Sequence, residues 1–264
     1  MPALAVIPAR YGSTRFPGKP LAERTGKPLI RHVVERVRMA RGIGRIVVAT
    51  DDPRIADAVR AFGCEAMMTG EHPNGTSRIA EVVTRLGAHV AADDLIVNVQ
   101  GDEPEIEPRV IEELIEGLSR DPDAPMATLA ADFAADEDPA NPNIVKLVVS
   151  RMIDATGSGS AGGAGGAGTG RLRAMYFSRA LIPFDRDKTG VKPLKHPGLY
   201  AYRRDFLLKY VTLPPTPCEQ SEALEQLRAL EHGYAIAVIK ADVRHHGIDT
   251  PQQYEAFVRR CRGE

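Results

Sequence analysis

Residues 4–20, LAVIPARYGSTRFPGKP, are the most informative part of the sequence for the fold, because an apolar run there passes directly into a basic loop that contains two glycines. The unbroken aliphatic residues 4–7 are typical of a strand that is buried on both faces of a parallel sheet. From residue 28 onward, apolar residues recur at the spacing of one helix face, at Leu29, Ile30, Val33, Val34 and Val37. The stretch therefore predicts a strand, a basic loop and a helix in succession.

The loop carries three cations, Arg10, Arg15 and Lys19, and follows the carboxyl end of its strand. At that end of a parallel strand, backbone N–H groups and the following helix favour an anion, and fixed positive charges add to the preference. A P-loop is excluded, because five residues separate Gly12 from Gly18 and a proline follows the lysine. A dinucleotide G-x-G-x-x-G pattern is also absent. We interpret the loop as a phosphate cradle; charge alone leaves open a solvated surface loop.

The charge is unevenly distributed along the 264 residues, whose formal net charge is −1. Residues 1–50 carry ten Lys or Arg against two Glu, a net of +8, so the remaining residues carry −9. The N-terminal portion is thus suited to an anion. The chain has no Trp and only 5% aromatic residues, whereas single-stranded nucleic acid is bound by basic grooves lined with aromatics. We therefore expect small-molecule substrates and no nucleic acid.

Cysteine usage and hydropathy indicate a reducing, non-membrane environment. Cys64, Cys218 and Cys261 are odd in number and far apart, so neither a disulfide framework nor a zinc site is predicted. The sequence shown has no signal-like segment before its first strand, and no apolar run is long enough to span a bilayer. We expect a cytoplasmic protein without a membrane partner.

Strand and helix patterns alternate four times over residues 1–118. The later strands are predicted at 45–50, 65–68 and 95–99, and helices follow residues 52, 78 and 107. This alternation predicts an α/β fold with a doubly wound parallel sheet, whose functional loops lie at the carboxyl ends of the strands.

The second half has a different pattern. Strands are predicted at 126–132, 144–149, 171–177, 199–203 and 234–239, with long helices only at 219–232 and from residue 250. This favours an antiparallel or mixed extension of the sheet. No domain boundary is evident, so residues 1–264 form one predicted domain, with a nucleotide-binding half at 1–125 and a second half at 126–264. The Gly/Ala/Ser tract at 156–170 is predicted to be a flexible hairpin tip.

Two aspartates are candidate metal ligands. Asp102 follows the buried strand 95–99, at the sheet edge where the basic loop is expected, and a carboxylate there suits Mg²⁺. Glu103 could contribute, although a simple turn is the preferred explanation of this GDEP sequence taken alone. Asp249 precedes the last helix and could instead cap it. A metal shared by both loops would explain both residues.

Five polar residues of the second half form a candidate pocket for a polyhydroxylated acid: Arg179, His196, Tyr200, Glu225 and Gln226. Each alone is more typical of a solvated surface. The D-x-D pattern at residues 185–187 resembles a glycosyltransferase metal motif, but such short patterns often arise by chance.

The motifs taken together resemble those of the 3-deoxy-manno-octulosonate (Kdo) cytidylyltransferase, or CMP-Kdo synthetase, family. The motifs are IPARYGSTRFPGKPL, VVATDD, HPNGTSR, IVNVQGDEP, NPNIVK, MYFSRALIPFDRD, HPGLYAYRRDF, LEQLRALEHG and GIDTPQQYE. The resemblance implies a Rossmann-like nucleotidyltransferase fold, with a mostly parallel central sheet and an antiparallel or mixed extension. It also implies a cytoplasmic homodimer for lipopolysaccharide biosynthesis, which converts CTP and Kdo into CMP-Kdo and pyrophosphate with Mg²⁺.

The resemblance also implies roles for individual residues. Arg10, Arg15, Lys19, Asp102 and Asp249 would be the catalytic set, the three cations holding the triphosphate and the two aspartates Mg²⁺. The nucleotide would further contact Pro8, Ala9, Asn74, Gly75, Thr76, Arg78 and Gln100, and the sugar acid would contact Arg179, His196, Tyr200, Glu225 and Gln226. Two features depart from the family pattern: Ser77, where a relative can carry Glu, and the long tract at 156–170.

The expected chemistry is in-line attack of the anomeric hydroxyl of Kdo on the α-phosphorus of CTP. No side chain is required as a base; His196 is the nearest candidate, but a neutral His196 that bonds a sugar hydroxyl is the plainer role. The competing hypotheses are a cytidylyltransferase for another sugar acid such as sialic acid, a glycosyltransferase using residues 185–187, and a non-catalytic nucleotide sensor.

Overall fold

A computed structural model describes residues 2–152, 171–244 and 247–264. In chain order these residues form ten strands and eight α-helices: β1 Ala3–Pro8, α1 Leu29–Arg38, β2 Ile43–Thr50, α2 Pro53–Ala61, β3 Glu65–Met68, α3 Gly75–Leu86, β4 Leu95–Asn98, α4 Pro108–Ser119, β5 Met126–Asp132, β6 Lys146–Arg151, β7 Leu172–Ser178, β8 Leu194–Lys195, β9 Tyr200–Arg203, α5 Arg204–Tyr210, α6 Pro217–Glu222, α7 Leu227–Glu231, β10 Ile236–Lys240 and α8 Pro251–Arg262. The predicted hairpin tip at 156–170 lies outside the described residues. Among the helices described, none is both long and apolar enough to cross a membrane.

The chain groups into two compact units. The first comprises Met1–Ile115, Ala201–Val211 and Arg244–Glu264, and the second comprises Glu116–Tyr200 and Thr212–Val243. The sequence pattern places the division of the two halves near residue 125 and assigns the C-terminal helix to the second half. In the structure, α8 belongs to the first unit.

A parallel sheet forms the centre of the first unit. β1 pairs in parallel with β2 on one side and β4 on the other, β3 pairs in parallel with β2, and β9 lies beside β4. The side chains of Ala5, Val6 and Ile7 in β1 are completely buried, as the apolar run predicts. Val6 lies opposite Asn98 of β4, so the carboxyl ends of these strands reach the same edge of the sheet. The loops that follow both strands therefore emerge close together.

The helices of the first unit pack on this sheet through the predicted apolar faces. α1 buries all five of its periodic apolar residues, Leu29, Ile30, Val33, Val34 and Val37. Asp52 caps α2, because its side chain accepts a hydrogen bond from the Arg54 backbone N–H at 2.9 Å. α3 begins inside the predicted loop 72–78, because Asn74 caps it by accepting from the Ser77 N–H at 2.9 Å.

The second unit contains the predicted mixed extension. β10 pairs in parallel with β5 and antiparallel with β7, while β6 pairs antiparallel with β7 and β8. Arg151 of β6 lies opposite Leu172 of β7, so the strands that flank residues 153–170 are paired with each other. The α/β fold with a parallel sheet and an antiparallel extension is thus confirmed.

Local details of the second half differ from the sequence pattern. The helix predicted at 219–232 is divided into α6 and α7, because Ala223 adopts a left-handed conformation with φ of 50°. Hydrophobic periodicity continues through that residue, so the pattern could not show the break. The pattern also missed α5, which follows β9 without an intervening loop, and the two-residue strand β8.

Candidate active site

A cavity of about 440 Å³ opens at the carboxyl edge of the first unit's sheet. Its lining is mostly polar and comes from the loops after β1 and β4, the start of α3 and the segment before α8: Pro8, Ala9, Arg10, Ser13, Thr14, Arg15, Lys19, Pro20, His72, Pro73, Asn74, Gly75, Arg78, Gln100, Gly101, Asp102 and Asp249. The cavity gathers the predicted catalytic set. Of the described residues predicted to contact the nucleotide, Thr76 alone is outside the lining, buried in the first turn of α3.

Lys19 connects the two predicted metal ligands. Its Nζ donates hydrogen bonds to Asp102 Oδ2 at 2.7 Å and to the Ile248 carbonyl at 2.6 Å, and lies 3.8 Å from Asp249 Oδ1. Lys19 is only 9% exposed, at the start of a short 3₁₀ helix that the sequence pattern did not predict. Two loops that are distant in sequence therefore meet around one ammonium group.

Asp249 faces the cavity and does not cap α8. Thr250 is the N-cap, accepting from the Gln253 backbone N–H at 3.3 Å, and the Gln253 side chain accepts from the Thr250 N–H at 2.9 Å. The Asp249 carboxylate instead lies 3.0 Å from Nη2 of Arg15. The capping alternative for this aspartate is therefore wrong, and its carboxylate lies among the cations that line the cavity.

The donor set fits a hard divalent cation. Asp102 and Asp249 present carboxylates whose side chains are 30% and 46% exposed. Mg²⁺ prefers oxygen ligands and commonly uses one or two carboxylates, completing its shell with water and substrate phosphates. Within the described ranges, no three His, Cys, Asp or Glu side chains cluster so that they could hold a metal. A cation bound here would thus need ligands from water and from a bound phosphate.

A further part of the cavity wall is formed by α3 and a buried arginine. Arg78 donates from Nη2 to Asp51 Oδ2 at 2.5 Å and from Nη1 to Thr69 Oγ1 at 2.6 Å, and is only 3% exposed. Asn74 and Gly75 place the N-terminus of α3 at the cavity, and this partially positive end favours an anion. Sequence reasoning missed Asp51, although it lies in the VVATDD motif that carried the resemblance.

His72 also lines this wall, and the sequence reasoning did not single it out. Its Nε2 lies 2.5 Å from Glu81 Oε2, and the Gly70 N–H donates to the same carboxylate at 3.0 Å. Partial burial raises the pKa of Glu81, but these hydrogen bonds outweigh burial, and the pKa lies below its usual value. The imidazole is thus held by a carboxylate that remains ionised.

Gly101 permits close contact between the loop after β4 and the end of β1. A Cβ added at Gly101 would lie 2.7 Å from the Pro8 carbonyl oxygen, whereas one added at Gly12 would have no atom within 4 Å. We expect Gly101→Ala to lower the free energy of unfolding by about 1–3 kcal/mol, because the backbone must move apart. Gly12→Ala is the matched control and should unfold like the wild type. Urea unfolding measures both; equal midpoints for the two variants would contradict the close contact.

The predicted sugar-acid residues all lie in the second unit. Arg179 is fixed there, because its backbone N–H donates to Glu222 Oε2 at 2.8 Å and its Nε to the Glu222 carbonyl at 2.7 Å. The Lys146 ammonium, completely buried, donates to the Arg179 carbonyl at 2.5 Å and to two further carbonyls. Gln226 is 4% exposed, and its Nε2 has no hydrogen-bond partner among the described residues. An unsatisfied buried donor of this kind calls for a partner.

His196 is a neutral, packed side chain. Its Nε2 lies 2.8 Å from Thr128 Oγ1, and its ring contacts those of Phe177 and Tyr200, with centroids 4.9 Å and 5.3 Å away. Part of the residue reaches the surface, but burial of the imidazole among these groups lowers its pKa to about 3. A group with that pKa is a poor general base near neutral pH, so the structure disfavours the base role considered for His196.

The lowered pKa predicts a pH dependence of stability. Between about pH 6.5 and pH 3, the folded chain binds fewer protons at His196 than the unfolded chain does. The contribution of this group to the free energy of unfolding is therefore fully present above about pH 6.5 and is lost as the pH falls. This one group should cost the wild type about 2 kcal/mol between pH 6.5 and pH 5.

The matched variant is His196→Gln, which removes the titrating group, while His32, whose pKa burial lowers to about 4, is present in both proteins. Urea unfolding at both pH values should show a smaller acid-induced loss for the variant. Equal losses would contradict a neutral His196.

The D-x-D pattern has a local role in its loop. Asp185 accepts hydrogen bonds from the backbone N–H groups of Thr189 and Gly190 at 2.8 and 2.9 Å, and these bonds lower its pKa. The carboxylate closes its own loop, which disfavours the glycosyltransferase metal motif.

The sequence is similar to a known protein family and to named relatives over nearly its whole length. The Cytidylyltransferase family matches residues 4–239. The 3-deoxy-manno-octulosonate cytidylyltransferase of Syntrophobacter fumaroxidans is 48% identical over 261 residues, covering 98% of this chain and 96% of the relative. The protein of the same name from Escherichia coli is 44% identical over 250 residues, covering 94% of this chain and 92% of the relative.

The structure is also similar to solved structures of cytidylyl-transferring enzymes. CMP:2-keto-3-deoxy-manno-octonic acid synthetase complexed with CTP is 42% identical, with a TM-score of 0.86, and covers 100% of this chain and 99% of that one. 4-diphosphocytidyl-2C-methyl-D-erythritol synthase is 16% identical, with a TM-score of 0.61 over 98% of both chains, which shows a shared fold only.

Proposed function

Because the chain belongs to the 3-deoxy-manno-octulosonate cytidylyltransferase family, we propose that it transfers CMP from CTP to Kdo and releases pyrophosphate. The product, CMP-Kdo, is supplied to lipopolysaccharide biosynthesis. The observation that carries the proposal is the cavity of the first unit, where Arg10 and Arg15 line the same space as two aspartates that share contacts with Lys19. Cations for a triphosphate and oxygen ligands for a metal are thereby combined in one site.

The reaction is an in-line displacement. The anomeric oxygen of Kdo forms a bond to the α-phosphorus of CTP, the bond from that phosphorus to the bridging oxygen of the β-phosphate breaks, and the hydroxyl proton passes to solvent. Arg10 and Arg15, both exposed to the cavity, stabilise the negative charge that accumulates on the departing pyrophosphate. The protein thus contributes positioning and charge neutralisation, without a nucleophile of its own.

We propose Mg²⁺ as the cofactor, held by Asp102 and Asp249. When bound, it polarises the α-phosphate and lowers the pKa of the attacking hydroxyl. The Ile248 N–H donates to the Asp102 carbonyl at 2.8 Å, which joins the backbones that carry the two ligands. The ligand positions are therefore fixed by the fold, as metal sites require.

The nucleoside end of CTP is assigned to the wall formed by Pro8, Ala9, Gln100 and α3. Ala9 is held in position by β2, because its N–H donates to the Ala49 carbonyl at 2.9 Å. Gln100 Nε2 donates a long hydrogen bond to Asn98 Oδ1 at 3.4 Å. Arg78 supports this wall through Asp51, so its contribution is to keep the wall in shape. The Ala9 backbone, which β2 holds in place, can distinguish one base edge from another.

The sugar acid is assigned to the second-unit residues. We assign the Kdo carboxylate to the remaining N–H groups of the Arg179 guanidinium, which also donates to the carbonyls of Glu222, Pro142 and Ala223. Tyr200, Glu225, Gln226 and His196 are assigned to the Kdo hydroxyls. The partnerless Nε2 of buried Gln226 supports this assignment. A neutral His196 can accept or donate such a bond without carrying charge.

We further propose a cytoplasmic homodimer. The second unit exposes Leu181, Phe184 and Val191 within one segment, and Phe184 is 86% exposed. Large apolar side chains that are exposed together favour a protein interface. Light scattering should give twice the mass of one chain; a monomer at micromolar concentration would contradict the dimer.

Pyrophosphate release is the test of the proposed function. The purified chain is incubated with Mg²⁺, one nucleoside triphosphate, and one sugar acid from a panel that includes Kdo and sialic acid. We expect release with CTP and Kdo, and little with other nucleotides. Faster release with sialic acid would assign a different sugar acid, and CTP binding without release would indicate a nucleotide sensor; either result contradicts the proposal.

A further inference from the structure

Tyr11 closes the basic loop on itself. Its carbonyl accepts hydrogen bonds from the N–H groups of Ser13 at 2.9 Å and Gly18 at 3.0 Å. Its ring lies against the Gly18 backbone, where an added Cβ would lie 3.1 Å from the ring and from its hydroxyl. Gly18 also has φ of 69°, which favours glycine. The ring of Tyr11 is therefore the inner support of the loop.

Arg54 of α2 holds this ring from outside. Its Cζ lies 3.5 Å from the centroid of the Tyr11 ring, within the range of a strong cation–π contact. The guanidinium is fixed by two hydrogen bonds to Asp52, from Nε to Oδ1 at 2.9 Å and from Nη2 to Oδ2 at 2.6 Å. Because Asp52 also caps α2, the arginine is oriented by a helix terminus, and its charge is balanced.

The other side of the loop has a separate anchor. Phe16 packs against the buried cluster of Leu29, Ile248, Tyr254, Phe257 and Val258. The rings of Phe16 and Tyr254 are 5.5 Å apart. This anchor holds the loop at Phe16, whereas Tyr11 joins the residue after Arg10 to Gly18, the residue before Lys19. The loop is thus fixed at two points, on α2 and on α8.

We propose that Arg54 and Tyr11 are positioning residues for the triphosphate of CTP, an inference that rests on the proposed function. Arg54 stacks on Tyr11, Tyr11 supports Gly18, and the loop then presents Arg10 to the cavity. Arg54 itself is absent from the cavity lining described above, and its guanidinium is engaged by Asp52. It therefore acts on the nucleotide through Tyr11.

A double-mutant cycle on CTP binding tests this chain of contacts. The variants are Arg54→Ala, Tyr11→Leu and the double variant, with Kd for CTP measured by calorimetry in Mg²⁺ buffer without sugar acid. Each single variant should weaken CTP binding about threefold to tenfold, in line with one or two lost contacts of this strength. The double variant should be no weaker than Tyr11→Leu, because Arg54 acts through the ring.

Two control variants and one kinetic comparison make the result specific. Tyr11→Phe keeps the ring and its stacking on Arg54, so it should bind CTP more tightly than Tyr11→Leu does. Arg60→Ala removes an exposed arginine of the same helix, paired with Asp57, and should also leave Kd unchanged. At saturating CTP, kcat of the Arg54→Ala variant should stay within about twofold of the wild type while KM rises, a split that simple loss of folded protein does not give.

Two results would overturn the proposal: unchanged CTP affinity in Arg54→Ala, or additive losses in the double variant. The Arg54 side chain is 58% exposed, so Arg54→Ala should keep the fold. If Tyr11→Leu does not fold, the CTP affinity of Arg54→Ala alone tests the proposal. CTP binding is read without Kdo. A wild-type chain that binds CTP but releases no pyrophosphate would therefore refute the proposed function and leave this test interpretable.

Discussion

Asp102→Asn is expected to slow pyrophosphate release from CTP on the order of 10³-fold, because a carboxylate ligand of the metal is lost where charge develops. The fold should be retained. Asparagine is nearly isosteric, and its Oδ1 can still accept the hydrogen bond that Lys19 Nζ donates to Asp102 Oδ2 at 2.7 Å. The backbone bond from the Ile248 N–H to the Asp102 carbonyl is also unaffected.

The measurement is steady-state pyrophosphate release at saturating CTP and Kdo over a series of Mg²⁺ concentrations. Asp57→Asn is the matched control, because Asp57 is a surface residue of α2 whose side chain is 76% exposed. It should retain wild-type turnover. Near-normal turnover of Asp102→Asn at saturating Mg²⁺ would contradict the metal assignment, particularly if its urea midpoint matched that of the wild type.

Lys19→Met is expected to raise KM for CTP on the order of 10²-fold and to lower kcat, since a buried charge near the phosphates is worth several kcal/mol. The ammonium donates to Asp102 and to the Ile248 carbonyl and lies 3.8 Å from Asp249. Without it, the two carboxylates repel each other and the carbonyl loses its donor. Stability should therefore also fall, by about 1–3 kcal/mol.

Lys27→Met is the matched control for Lys19→Met. Lys27 lies in the same N-terminal segment and forms an ion pair with Glu35, away from the cavity lining. CTP kinetics of this variant should be unchanged. If Lys19→Met showed unchanged CTP kinetics, the residue would be a structural bridge between loops and not part of the phosphate cradle. The stability loss would then be its sole consequence.

The strands whose side chains are buried could be predicted from the sequence. β1 and β4 are runs of aliphatic residues, and a strand buried on both faces must consist of such residues. Their carboxyl ends adjoin because parallel neighbours share direction, so a basic loop after β1 and a carboxylate after β4 were expected at one edge. This reasoning placed Asp102 near the basic loop without any knowledge of tertiary contacts.

Features that depend on backbone conformation or on tertiary contacts could not be predicted in this way. The left-handed Ala223 that ends α6 carries no residue-type signal, because glycine is the usual choice there. The meeting of Asp249 with Lys19 depends on α8 returning to the first unit, a contact across more than two hundred residues that no local pattern encodes. Asp51 likewise acquires its role only when Arg78 is buried beside it.

The resemblance to the family supplied what the residues alone could not. The cradle, the glycines and Asp102 indicate phosphate and a divalent cation, but they do not name cytosine or Kdo. Close, full-length similarity to proteins named for both fixes the family. The site residues themselves remain predictions that the variants above can test one at a time.

Diffraction from crystals grown with CTP and Mn²⁺ tests whether Asp102 and Asp249 hold the metal beside the triphosphate, because manganese is located by its anomalous signal. We predict a peak at about 2.1 Å from one carboxylate oxygen each of Asp102 and Asp249, the bond length of a small divalent cation with oxygen. The triphosphate should lie against Arg10 and Arg15. A manganese peak held by other carboxylates, with CTP outside the cavity of the first unit, would contradict the account.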